Sequence, residues 1–278
     1  MESGIGQYAY WLARALPCVA PDLEFRLWLP NRDDPLVDEL RRNGDGTPSV
    51  CIPGDPRRFG STLRATLRLL ASGGALYHSP DWIGVPALPG AWRTVVTVHD
   101  LVPLLAPEWV PGSLKARHPH LYQAAIRTIA RSASAVITDT PPWAVEIMKH
   151  LGVRPGRLHV IPLGVAAPRR ATPDQVRATL ARFGLGEGPY VITVGRPEPY
   201  KGLCSAIRAF AGAGGSERLV IVGMGDPRYV EDHELVRRLN LGARVVYTGI
   251  VDPETLEHLY QGAGGFLTMS RFEGSFPS

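Results

Sequence analysis

Two cations at the end of a predicted strand are the residues most able to do chemistry in this chain. The run PYVITV (189–194) leads straight into GRPEPYK (195–201), which sets Gly195, Arg196 and Lys201 just before a predicted helix. A glycine there lets backbone approach a ligand, and two positive side chains beside a helix N-terminus attract phosphate. The plain alternative is that Arg196 and Lys201 are solvated surface charges, with Glu198 as a partner.

A second polar group, His99-Asp100, closes the β-branched run WRTVVTVHD (92–100). A lone histidine is most often held by a neighbouring backbone group; here its place at the carboxyl end of a buried strand also puts it where ligands bind in parallel sheets. Other strand ends give Thr138 to Thr140, Gly223-Met224-Gly225, Gly249 and Ser270 to Glu273. Competing chemistries have no signature: there is no GxSxG elbow, Walker lysine loop, HExxH pair or clustered carboxylate motif. GMG (223–225) lacks a third glycine at dinucleotide spacing and no strand precedes SGIG (3–6), which disfavours a nicotinamide enzyme.

The elements that must position these residues alternate. Helical spacing over Ile5, Tyr8, Ala9, Leu12, Ala15 and Leu16 predicts a helix stopped by Pro17. Strands are predicted at 24–29, 75–79, 92–100, 134–140 and 157–165, with helices at 57–71, 113–131 and 142–151. A segment rich in proline and glycine, 166–188, with a short helix near 173–183, reads as a linker. A second series follows: strands at 189–195, 218–223, 243–249 and 265–270, and helices at 202–212, 229–240 and 253–262. Strand and helix in alternation predict α/β domains with parallel sheets covered on both faces.

With 278 residues, the chain suits two domains, and 45% hydrophobic with 20% charged residues is enough apolar material for two buried sheets. A formal net charge of +4 is too mild and too dispersed to point to nucleic acid. Cys18, Cys51 and Cys204 are widely spaced, so neither a disulfide framework nor a zinc site is expected. The N-terminal stretch is interrupted by Gln7 and Arg14 and does not read as a signal peptide, nor is any stretch long and apolar enough to span a bilayer. The expectation is a cytoplasmic protein. The Arg-rich stretch 57–68 offers peripheral contact with the anionic inner membrane, though a solvated helix face is the preferred account.

Taken in order, SGIGQYAYWLARAL, VVTVHDLVPLLAPEW, AVITDTPPWAVEIMKHLGVRPGRLHVIPLGV, VGRPEPYKG, LVIVGMG and SRFEGSFP resemble the GT4 family of glycosyltransferases over almost the whole chain. The HDL and PEW variants look most like bacterial mannosyltransferase-type members that build surface polysaccharides. The resemblance implies a GT-B fold of two Rossmann-like parallel-sheet domains facing a cleft. Residues 1–165 would be the acceptor-side domain, 166–188 the linker and 189–278 the nucleotide-sugar-binding domain. It implies a retaining hexosyltransferase that moves a sugar, with mannose the first candidate, from a nucleotide-sugar to a saccharide or lipid-linked saccharide. No metal or other cofactor is implied. The rival readings are a GT-B epimerase or phosphorylase, and an inactive nucleotide-binding fragment.

Carried over residue by residue, the resemblance gives Arg196 and Lys201 the donor diphosphate and matches Gly4 and Gly6 to the glycine loop that closes on the donor phosphate. It gives His99 a contact with the transferred sugar, and Glu273 the place of the first glutamate of an E-x7-E motif, with Gly274 and Ser275 offering backbone amides. The second glutamate would fall eight positions beyond Glu273, whereas the sequence ends at Ser278. The first sheet is likewise expected to lack its opening strand, and a chain cut at both ends is expected to expose apolar sheet surface and to be poorly soluble. Two smaller departures bear on donor choice: Tyr200 stands where a basic residue is frequent, and Asp139-Thr140 replace a small-polar pair.

Overall fold

A computed structural model of the chain describes residues 4–25, 27–29, 49–51, 63, 66–67, 71, 76–82, 93–110, 112–165, 167, 170–186, 188–223, 225 and 230–271. These fall into two compact units, one drawn from residues 4–101 and 120–163 and the other from 102–119 and 164–271. The helix predicted over 57–71 lies largely outside the described residues.

In the first unit, helix α1 (Gly4–Val19) precedes strands β1 (Leu27–Leu29) and β2 (Ser49–Cys51), which pair parallel with each other. The helix runs past Pro17 rather than stopping there. A proline costs an interior helix the bond its N–H would make to the preceding turn, but the ladder resumes at once, with the Ala20 amide on the Leu16 carbonyl at 3.0 Å. Strands β3 (Leu76–Ser79), β4 (Arg93–Thr97), β5 (Ala135–Thr138) and β6 (Leu158–Val160) form a parallel sheet in that order. Helix α2 (Pro119–Ser132) joins β4 to β5, and α3 (Pro141–Leu151) joins β5 to β6.

The single helix expected at 113–131 is broken: Leu114–Arg117 is one turn, capped at Ser113, and α2 restarts at Pro119. Proline fixes the break, since it cannot donate to the turn before it yet fits a first helical turn. Helix α3 ends where expected, with Gly152 left-handed at φ 69°.

The second unit is a parallel sheet in the order β10-β7-β8-β9: β7 (Tyr190–Val194), β8 (Arg218–Val222), β9 (Val245–Gly249) and the short β10 (Gly265–Phe266). Strand β8 shows why the sequence reads as a continuous apolar run. Leu219 and Ile221 pack on one face with Ile207 and Phe210 of α5 (Leu203–Ala213) and Leu235 and Val236 of α6 (Glu231–Arg238). Val220 and Val222 pack on the other with Leu180 of α4 (Pro173–Arg182) and Leu259 of α7 (Pro253–Gly262). Alternate residues of a strand point to opposite faces, and here both faces are core.

Helix α4 lies within the stretch read as a linker, yet it belongs to the second unit and buries Thr179 and Leu180. Its start is a capping box: Thr172 Oγ1 accepts from the Gln175 amide at 3.3 Å and Gln175 Oε1 accepts from the Thr172 amide at 2.8 Å. Among the described residues, no helix is long and apolar enough to cross a membrane.

Candidate functional site

Two strand-end clusters, one in each unit, hold three of the residues singled out above: His99 in the first, Arg196 and Lys201 in the second. In the second unit, β7 ends at Val194, and Gly195 to Glu198 lead into a single turn of 3-10 helix, Pro199–Lys201, that runs into α5. Gly202, between turn and helix, has φ 70°, and a Cβ there would sit 2.2 Å from the Met269 carbonyl oxygen, so only glycine fits. The Arg271 amide donates to the Tyr200 carbonyl at 2.8 Å, and Ser270 Oγ donates to it at 3.3 Å. The cationic turn is therefore fastened to the segment that follows β10. Gly223, at the end of β8, is as constrained: φ is 148° and a Cβ would lie 2.0 Å from the Gly195 carbonyl oxygen. These glycines close the strand ends tightly against one another.

Arg196 and Lys201 line one shallow cleft with Thr193, Gly195, Leu203 and Thr268. Arg196 Nε lies 3.2 Å from Glu198 Oε1, with the guanidinium side chain 46% exposed and the glutamate 15%. The glutamate partner anticipated for Arg196 is thus present, but it leaves half of the arginine open to solvent. Lys201 Nζ sits 5.2 Å from the centre of the Tyr200 ring, an aromatic face that helps hold a cation.

In the first unit, β3, β4 and β5 each end on a buried hydroxyl residue: Ser79, Thr97 and Thr138. Val98 continues β4, its amide on the Ile137 carbonyl at 2.8 Å, and this delivers His99 to the carboxyl edge of the sheet. His99 Nδ1 lies 2.7 Å from Asp139 Oδ2 and Nε2 lies 3.0 Å from the Pro80 carbonyl oxygen. The Tyr8 ring of α1 meets the imidazole edge-on at 4.8 Å, and its hydroxyl is 3.1 Å from Thr97 Oγ1, which is also 3.1 Å from His78 Nε2.

The two histidines of this cluster are pushed in opposite directions. Burial lowers the His78 pKa and favours its neutral ring. Burial also pulls His99 down, but the hydrogen bond and charge of Asp139, the Pro80 carbonyl and the charge of Asp81 outweigh it and leave its pKa raised. Tyr8 is raised by burial, against a lowering hydrogen bond from Thr97, with the Asp139 charge adding to the rise.

Gly4 and Gly6 lie inside the first turn of α1 rather than in a loop before it, and a Cβ at Gly4 would meet nothing within 4 Å. Glu273, Gly274 and Ser275 lie outside the described residues, as does Met224. Asp100 is exposed. In the sequence Asp139 stands out within the strand-end group Thr138 to Thr140 and as part of a departure from a small-polar pair, but not as a partner of His99. Its partnership with His99 joins positions 40 apart in the chain, which no local spacing reports.

Residues 3–164 match the family described as Glycosyl transferase 4-like domain, and residues 180–277 match that described as Glycosyl transferases group 1. This chain belongs to the GT4 glycosyltransferases. The D-inositol 3-phosphate glycosyltransferase of Acidothermus cellulolyticus is 31% identical over 147 residues, 49% of this chain and 33% of that relative. The serotype-specific mannosyltransferase WbdA of Escherichia coli is 30% identical over 200 residues, 66% of this chain and 24% of that relative. This GT4 chain thus spans about a third or less of the curated relatives it matches.

Among solved structures, Anabaena Alr3699/HepE in complex with UDP and glucose superposes with a TM-score of 0.72 at 17% identity, over 98% of this chain and 72% of that one. Sucrose-phosphate synthase (tll1590) from Thermosynechococcus elongatus gives 0.67 at 20% identity, over 98% and 71%. These likenesses show the expected α/β architecture, the GT-B fold, with a four-stranded parallel sheet in each unit.

Proposed function

We propose that this chain works in a retaining glycosyltransferase, which moves a hexose from a nucleotide-sugar to a saccharide or lipid-linked saccharide. The observation that carries the reading is that Arg196, just after β7, and Lys201, on the turn that follows, line one cleft beside the start of α5. Two fixed cations there stabilise a departing diphosphate as negative charge builds on it, a role otherwise served by a bound metal ion. Transfer with retention follows if a donor phosphate oxygen takes the acceptor's proton on the face that the nucleotide leaves. His99 orients the transferred sugar, and Glu273 with the amides of Gly274 and Ser275 completes the donor site. Gly4 and Gly6 contribute the positive end of α1 to the donor phosphate.

Mannose from a guanosine donor is the first candidate, supported by the likeness of two thirds of the chain to a mannosyltransferase. The UDP and glucose in the Alr3699/HepE complex favour the uridine alternative. Calorimetric titration with GDP, UDP and ADP decides between them. The expected result is tight binding of one nucleotide, weakened roughly tenfold to a hundredfold by Arg196→Ala or Lys201→Ala, the range for a lost charge-assisted hydrogen bond. Absence of binding to all three nucleotides, or binding indifferent to both substitutions, overturns the reading. The metal-free mechanism is checked separately, since a chelator should leave turnover unchanged.

A further inference from the structure

His99 is gripped at both ring nitrogens. A neutral imidazole carries one N–H and one bare nitrogen, so it can donate to only one of two acceptors; the imidazolium donates to both. Here both partners are oxygen acceptors at hydrogen-bond distance, Asp139 Oδ2 at 2.7 Å and the Pro80 carbonyl at 3.0 Å, and the latter has no proton to give in return. The pair is largely withdrawn from water, His99 at 13% and Asp139 at 3% exposure. Asp139 Oδ1 is buried without a hydrogen-bond partner among the described residues, so the compensation of this carboxylate rests on His99. A buried carboxylate left beside a neutral ring costs several kcal/mol more than one beside a cation.

We propose that Asp139 is a positioning residue that holds His99 as a doubly donating imidazolium, so that His99 serves the reaction as a hydrogen-bond donor and a positive charge, and never as the base. The catalytic half of this statement rests on the glycosyltransferase reading above; the protonation half does not. The groups around the ring are consistent with it. Asp139 and Asp81 are the carboxylates acting on it. The Tyr8 ring of α1 stands perpendicular to the imidazole, and the neutral His78 stands one hydroxyl further away, beyond Thr97. When a sugar arrives, Nε2–H can exchange the Pro80 carbonyl for a sugar hydroxyl without any change of protonation, while Asp139 keeps Nδ1–H and the orientation of the ring. A base, by contrast, needs a bare nitrogen, and neither nitrogen is bare.

The test is a nitrogen-detected NMR titration of the histidine-labelled protein, with His99→Gln assigning the signal. The expected result is a His99 ring protonated on both nitrogens at neutral pH and titrating above the ordinary histidine value. In Asp139→Asn the same ring should titrate at or below that value. A bare His99 nitrogen at neutral pH in the unsubstituted protein overturns the proposal even if Asp139→Asn fails to fold. An unmoved titration in a folded Asp139→Asn also overturns it. The catalytic half predicts that Asp139→Asn lowers kcat while nucleotide affinity is kept, and that Asp139→Glu restores part of both the titration and the turnover. A failed nucleotide titration would instead strike the functional reading and leave the imidazolium standing.

Discussion

The two strand-end clusters solve opposite problems. At the edge of β4 and β5 the two groups are buried against each other, His99 Nδ1 lying 2.7 Å from Asp139 Oδ2. At the end of β7, Arg196 is about half exposed beside Glu198, and the partly buried Lys201 sits on a turn that Gly202 and backbone contacts constrain. A buried pair sets geometry and protonation, whereas an exposed cation on a stiff turn keeps its field available for an incoming anion. The comparison separates a cluster whose charges are buried and paired from one whose arginine is half open to solvent on a tightly constrained turn.

The largest effect that could break this contrast is on turnover. Lys201→Ala in the active enzyme should lower kcat by about a hundredfold or more, as removal of a preorganised charge stabiliser does. Arg196→Ala should lower kcat as well, by a smaller factor, because about half of its side chain is exposed and screened by solvent. Steady-state kinetics on both variants checks the order, and equal, negligible losses would mean that the displayed charges are only solvated surface.

The rigidity of the turn is tested next. Gly202→Ala forces a Cβ against the Met269 carbonyl at a left-handed φ, and should destabilise the second unit by more than about 1 kcal/mol. Gly4→Ala, which meets nothing, should change stability by no more than about 0.5 kcal/mol. Chemical unfolding of both variants provides the comparison. A mild Gly202→Ala would show that the turn gives way, and with it the claim that the cations are held in place.

A smaller effect belongs to the buried pair. Because the folded His99 pKa is raised above its unfolded value, the stabilisation it contributes is fully present below the ordinary histidine value and is lost as pH rises through the raised one. Unfolding measured across that window should show the advantage of the unsubstituted protein over Asp139→Asn shrinking as pH increases. A constant difference would mean that Asp139 acts through packing and not through charge.

Much of this was legible in the sequence because the signals were local. Alternating apolar runs and helical periods place nearly every element, and Arg196, Lys201 and His99 are visible as polar residues breaking in just after such runs. What escaped are contacts closed by tertiary structure. The grip on His99 joins residues from three strand ends, and the proximity of Gly202 to Met269 depends on β10 returning beside β7. The run GFLTMS (265–270) shows the other limit: it reads as a full strand, yet only Gly265–Phe266 pair. The continuation instead serves the cationic turn through Ser270 and Arg271, a use of backbone that no periodicity encodes.

The smallest predicted effect concerns the stretch whose proline and glycine content reads as a linker. Thr172→Ala removes the side-chain half of the capping box that starts α4, and should cost about 1 kcal/mol, with Thr172→Ser restoring most of it. The loss should appear in unfolding of the second unit, because α4 is tied to it twice: the Ala171 amide donates to Gln261 Oε1 at 3.1 Å, and Thr179 Oγ1 lies 2.8 Å from His258 Nδ1 in the core. If Thr172→Ala left that unfolding unchanged, the capping box would be a local feature that the second sheet does not feel, and α4 would be held there by the burial of Leu180.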